Sequence, residues 1–370
     1  MNEASSLFKV EGAEAHVTVD LSVGHLHELV LCDGAHRIAP LHTAPWVDDP
    51  AVCADETILP NVRRLSGDFL CGPFGRSDVE PAPVHGWPAN SAWTIEDVTT
   101  LAGEGAVRAR FRLERQVMGA VVFKELTLRN GHPFLYQRHL FIGGSGALPV
   151  SNHAMVRWRD AEISFSDKRF IRTPRRPVES DPARGRSALC YPQEIGPDRR
   201  ATTRDGASID ITSLPFADRH EDHIVLTESA QSELGWLALR QRDSDWMFLS
   251  LKNAHQHPFT NLWFSNGGRD YAPWSGRHVG VIGIEEGRTY AGYGHAASIA
   301  DNEYSDLGVP TSFTLVPGAT LDLRHVIGAT HWPAGCGQVQ AVSAEEDHLV
   351  AVDTARRAKR WRFDRRFLFP

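Results

Sequence analysis

Cysteine is scarce and its spacing offers no pairing. Cys32, Cys53, Cys71, Cys190 and Cys336 are the five in 370 residues, and no CxxC occurs. An odd, scattered set fits reduced, mostly buried thiols in a cytosolic protein better than a disulfide framework. No apolar run approaches the roughly 20 residues of a spanning helix, so no membrane partner is expected. The opening Met1-Asn2-Glu3-Ala4-Ser5-Ser6 lacks a basic region followed by an apolar core. No signal peptide is therefore expected, and the location is read as cytoplasmic. Positive charge is not in excess: the formal net charge is -7. That argues against a general nucleic-acid binder. Capped helical stripes are missing. So are a phosphate-binding loop, a dinucleotide fingerprint, a GxSxG elbow and an HExxH helix.

What remains is dominated by strand patterns. Charged residues make up 23% and hydrophobic ones 42%, the balance of an ordinary soluble globular chain. Val107, Ala109, Phe111 and Leu113 alternate with Arg108, Arg110, Arg112 and Glu114. A period of two buries one face of a strand. Val17, Val19, Leu21 and Val23 alternate in the same way. Asn130-Gly131 stands between two apolar runs and predicts a tight hairpin. Trp246 to Leu251 and Ser312 to Val316 read as buried strands, and Pro317-Gly318 as the turn that follows. Many short strands with Gly and Pro punctuation predict an all-β fold, a large antiparallel β-sandwich. One domain is expected over 1–370, with a long Pro-, Arg- and Gly-rich excursion at about 166–204 and a basic tail at about 351–370. The tail interleaves Trp361 and Phe363 with arginines, and is read as packing its aromatics while its charges stay in water.

Several segments can carry chemistry. His85-Gly86-Trp87-Pro88 puts an imidazole at a bend, followed by Asn90 and Trp93. Asn152-His153 adds a second histidine, able to give or take a proton near neutral pH, beside an amide that can bond a hydroxyl. Gly280-Val281-Ile282-Gly283-Ile284 runs into Glu285 and Glu286. Adjacent residues on a strand face opposite ways, so one glutamate is expected at a cleft. Partial desolvation there should raise its pKa. Trp263, Tyr271 and Trp274 offer ring faces, and Asn266 and Arg269 polar fingers, a mixture suited to a polyhydroxylated ligand or to sealing the sandwich. Arg64, Asp68 and Arg76 lie among glycines, where they suit ligand hydroxyls or a structural ion pair. His25/His27 and His255/His257 each place two imidazoles on one strand face, but no third ligand stands at a suggestive spacing, so no metal is expected.

In order and spacing, Arg64, His85-Gly86, Asn152-His153 and the Gly280 to Glu285 strand resemble the aldose 1-epimerase (galactose mutarotase-like) family, as a divergent member. The resemblance spans about residues 30–320. It departs after His153, where Ala154-Met155-Val156 stands in place of aromatics, and after Glu285, where Glu286-Gly287 stands in place of Thr-Gln. It implies the family's sandwich and an isomerase that interconverts the anomers of a monosaccharide by general acid/base ring opening. Glu285 would be the base and His153 the acid. His85, Arg64, Asp68, Arg76, Asn152, Trp263 and Arg269 would contact substrate, with no cofactor. A carbohydrate-binding protein without catalysis, and a sugar lyase or glycosidase on the same fold, are the alternatives. Oligomeric state is left open.

Overall fold

The computed structural model describes residues 6–370. Residues 1–5, most of the stretch inspected above for a leader, lie outside the described residues. The architecture is two large antiparallel sheets face to face, with a small sheet added outside one of them.

The nine-stranded sheet runs in the order Ser213–Leu214, Ala161–Phe165, Leu234–Gln241, Trp246–Asn253, Thr320–His331, Phe134–Gly143, Ala120–Arg129, Ala106–Leu113 and Trp93–Leu101. The seven-stranded sheet runs Lys168–Arg172, His220–Glu228, Phe259–Asn266, Val281–Arg288, Val150–Asn152 and Leu70–Cys71, with Ala154–Arg157 also paired to Val281–Arg288. Phe111, Leu126, Phe141, Phe248 and Ile327 from the first sheet meet Ile224, Leu262, Phe264, Ile282 and Ile284 from the second. This is the main core, and its alternation gives each strand of the seven-stranded sheet one inward face.

The nine-stranded sheet is covered on its other side too. Met247, Leu249 and Val326 pack against Val342, Leu349, Trp361 and Phe363 of the sheet Val339–Ala344, His348–Asp353 and Ala358–Arg362. The basic stretch is thus the last strand of a third layer. Arg357, Arg360 and Arg366 pair with Asp353, Glu345 and Glu346. A hairpin sheet, Leu7–Glu11 to His36–Ile38, joins the main core at one end through Phe8 on Phe111.

The main core also holds charge. Glu286 points inward and meets Lys252 from the opposite sheet. Thr260 Oγ1 donates to Glu286 at 2.6 Å and Ser250 Oγ at 2.9 Å. Lys252 also lies 3.1 Å from Glu228, which Lys168 approaches at 2.5 Å. Opposite charges and hydroxyls satisfy one another here, as buried ions require.

Three local expectations change. The hairpin at Asn130-Gly131 has a wider loop, with the strands ending at Arg129 and resuming at Phe134; only Gly131 of the pair has a positive φ, 73°. The early alternating strand stops at Asp20, and Leu21 to Gly24 forms a turn. Residues 166–204 open with the edge strand Lys168–Arg172. They end in the short strand Arg200–Thr202, paired with Ser208–Asp210, and the irregular stretch between is anchored by buried Leu189 and Ile195.

Candidate functional site

Among the described residues no further sheet covers the outer face of the seven-stranded sheet. Loops within 40–90 and 173–178 rise from its surroundings instead, and between them lies a cavity of about 750 Å³. Its floor comes from three neighbouring strands. Val281–Arg288 supplies Glu285, Phe259–Asn266 supplies Trp263, and His220–Glu228 supplies His223.

The glycine pattern before Glu285 has a steric cause. Ile282 and Ile284 enter the core, so Gly283 and Glu285 share the outer face. A Cβ at Gly283 would lie 3.1 Å from Trp263 and 3.2 Å from both the Glu285 carboxylate and the His153 ring. Glycine leaves those three side chains room to converge.

His153 arrives by an interruption. Val150–Asn152 and Ala154–Arg157 pair with the same strand on either side of it, in registers that bring His153 opposite Glu285. The His153 N–H leaves the ladder and donates to Asp68 Oδ1 at 3.0 Å. Asp68 Oδ2 accepts from Gln137 Nε2 at 2.5 Å. The His153 ring stacks on Phe69 with centroids 4.5 Å apart, and Trp263 stands edge-on at 5.7 Å. Its Nε2 lies 3.2 Å from Glu285 Oε1, while Nδ1 is buried without a partner. His223 Nε2 approaches the other carboxylate oxygen, at 3.7 Å. That is beyond hydrogen-bond range, so Oε2 is left open.

Glu285 corrects the expected direction of its pKa. Burial does push the carboxyl up, but the neighbouring His153 and His223 outweigh it, and the net shift is downward from 4.5. His85 has a lowered pKa as well: burial drives it down to about 3. It is therefore a neutral donor and acceptor. Its backbone sits at φ 67°, and its Nδ1 accepts from the Gly75 N–H at 3.4 Å. Gly86 is required beside it, since a Cβ there would meet the Gly72 carbonyl at 2.0 Å. Asn90 braces the bend by donating to the carbonyls of Val84 and Gly86.

His85, His153, Glu285, Trp263, Arg269 and Arg76 all line the cavity. Asp68 and Asn152 do not. Asp68 lies behind His153, and Asn152 is buried with its Oδ1 unpartnered. Arg64 is a correction: its Nη2 pairs with buried Asp20 at 2.6 Å, and it borders a different depression. The carboxylate that holds it is outside the cavity, so it cannot point inward. Asn266 is likewise structural, accepting from the Gly280 N–H at 3.1 Å.

Trp263 and Arg269 are tied together by Glu221. The indole N–H donates to it at 2.7 Å and Ser265 Oγ at 2.6 Å, while Arg269 Nε lies 3.8 Å away. Burial raises the Glu221 pKa against these partners. Arg269 lies over Trp274 at 4.2 Å, a cation–π contact.

Glu221 and His223 were not singled out from the sequence. The visible sign was His220-Glu221-Asp222-His223, four ionisable residues leading straight into Ile224-Val225-Leu226. Alternation sends Glu221 and His223 to the cavity side, while His220 and Asp222 bond each other at 2.7 Å. Phe69, Arg175, Arg176 and Tyr293 also line the site unannounced.

Among the described residues no group of three or more His, Cys, Asp or Glu is arranged to hold a metal, and no helix is long and apolar enough to cross a membrane.

Two large antiparallel sheets packed face to face have the galactose mutarotase-like β-sandwich fold. Solved structures share this fold. The galactose mutarotase related enzyme from Lactobacillus acidophilus aligns over 87% of this chain and 97% of its own, with TM-score 0.52 and 12% identity. A candidate aldose 1-epimerase from Klebsiella pneumoniae aligns over 86% and 77%, with TM-score 0.54 and 14% identity. Another from Escherichia coli aligns over 88% and 99%, with TM-score 0.53 and 10% identity. At such identities the likeness is one of fold. No family model matches the chain, and no curated protein does.

Proposed function

We propose that the cavity interconverts the anomers of an aldose. The observation that carries this reading is the 3.2 Å approach of His153 Nε2 to Glu285 Oε1 on the cavity floor. In mutarotation the two oxygens that exchange protons, the anomeric hydroxyl and the ring oxygen, sit on one carbon. Acid and base must therefore be neighbours, as they are here.

Glu285 takes the proton from the anomeric hydroxyl. Protonated His153 gives one to the ring oxygen as the bond from C1 to that oxygen breaks. The hydroxyl oxygen becomes the carbonyl of the open aldehyde. Rotation about C1–C2 presents the other face, and reclosure returns both protons. Each transfer is general acid–base work, contributing about 10²–10⁴-fold. Neutral His85 bonds a ring hydroxyl, and Trp263 holds an apolar face of the sugar.

A glycosidase needs a second carboxyl across the scissile bond. Glu285 is the single carboxylate lining this cavity, which favours the mutarotase. The test follows anomer exchange of freshly dissolved aldoses by NMR, with wild type and Glu285→Gln. Acceleration that disappears in the variant is expected. Sugar binding with an unaltered exchange rate would replace the enzyme by a carbohydrate-binding protein.

A further inference from the structure

The charge of the cavity is lopsided. Four arginines line it, Arg76, Arg175, Arg176 and Arg269, with no lysine and no aspartate, against Glu285 alone. A chain of net charge -7 does not give that balance by composition. Arg269 lies inside, on Trp274. Arg76 and Arg175 are mostly exposed, their side chains 71% and 67% accessible, which puts them at the mouth.

Some arginines of this protein close onto carboxylates, as Arg138 does on Asp322 and Arg172 on Glu194, both at 2.9 Å, while others, such as Arg108 and Arg277, stay 3.9 and 3.8 Å away. Those at the mouth belong to the looser set. Arg76 is 3.9 Å from Asp78, and Arg175 is 3.7 Å from Glu303. Arg176 has no ion pair among the described residues. Their donors remain available. The strap that carries two of them is held in place: Pro174 and Pro177 restrict its backbone, Thr173 N–H donates to Gln193 O at 3.0 Å, and the Arg175 N–H is bonded by the Tyr293 hydroxyl. A restrained backbone lowers the part of the ordering cost that falls on the strap, while the exposed side chains still have to be ordered by the ion.

We propose that this site takes an aldose bearing an oxyanion, phosphate or carboxylate, at the end remote from its anomeric carbon, held by Arg175 and Arg176 with Arg76. The planar guanidinium meets either oxyanion with paired N–H donors. Glu285 and the three arginines line one cavity of about 750 Å³, so C1 on the floor and the anion at the mouth share a single site. Only the placement of C1 rests on the mutarotase reading.

The experiment compares glucose, glucose 6-phosphate, galactose, galactose 6-phosphate, glucuronate and galacturonate. Anomer exchange is measured by NMR, and binding separately by calorimetry with wild type and Glu285→Gln. The expected result is a kcat/KM at least about tenfold higher for a charged aldose than for its neutral parent. That advantage should shrink as salt rises in wild type and fall to within about twofold in the Arg175→Gln/Arg176→Gln variant. The salt series needs no substitution, so an unstable variant leaves the question decidable. The 6-phosphates against the uronates identify the oxyanion. Tight binding of charged sugars without turnover would keep this inference and reject the mutarotase. Equal handling of charged and neutral sugars, or binding of neither, would overturn the inference.

Discussion

Glu285 and Glu286 are chain neighbours on one strand, and both are buried, at 3% and 0% exposure. Their surroundings differ in kind. Glu286 meets an ammonium and two hydroxyls, so each of its oxygens is bonded. Glu285 has one imidazole at 3.2 Å and a second oxygen with no hydrogen bond. Burial does not separate the two roles; saturation does. A carboxylate whose lone pairs are all engaged ties two sheets together. One with an open oxygen over a cavity can still accept a proton from something that enters.

The comparison can be broken or sharpened. The largest effect is expected from Glu285→Gln: anomer exchange falls about 10²–10⁴-fold, with thermal stability unchanged or slightly lowered. Near-normal turnover in that variant would sink the assignment of the base. Glu286→Ala should do the reverse. It strips Lys252 of its closest carboxylate and should cost about 3–5 kcal/mol in urea unfolding, with turnover kept per folded molecule. A folded but inactive Glu286→Ala would mean that the faces are not separable.

Asp68→Asn comes next. A charged acceptor of the His153 N–H is replaced by a neutral one, and a fall of about tenfold in kcat with KM little changed is expected. A change in KM alone would make Asp68 a binding group. The pH dependence is gentler. Both glutamates have folded pKa values below 4.5. A depressed carboxyl stabilises the fold fully above its unfolded value, and that stability is lost as pH falls through the folded one. Urea midpoints should therefore drop below pH 4.5, less steeply in Glu286→Gln, and the acid limb of the rate profile should fall in the same range. Identical acid slopes in wild type and Glu286→Gln would count against the network. Smallest in turnover is Arg64→Ala, expected to stay within about twofold, although stripping buried Asp20 of its cation should cost about 1–3 kcal/mol. A larger kinetic loss would return Arg64 to the site.

Strand periodicity made the sandwich legible, because inward Phe111 or Ile284 must alternate with outward residues. The placement of Glu285 was legible in the same way, since alternation sends only one of two adjacent glutamates to the cavity side. What depends on contacts distant in sequence was not. Arg64 looked like a ligand group because nothing in its segment announces Asp20, 44 residues away. Asp68 gave no sign that it would bind a backbone N–H at His153. The direction of the Glu285 pKa was misjudged because desolvation is visible in an apolar strand, whereas His223 comes from another strand entirely.

The sheet that presents Glu285 packs its outer face on irregular segments, Met155, Trp263 and Val281 against Trp46, Phe69 and Trp274, and Val225 and Phe259 against Tyr290 and Tyr304, whereas the nine-stranded sheet is locked between two other sheets. The walls of the cavity are loops and a strap, rooted outside the main core. Substrate preference and foldability are therefore inherited through different residues. A wall segment can be exchanged while the packed alternation of the strands stays as it is, so what the cavity recognises can change without refolding the sheets.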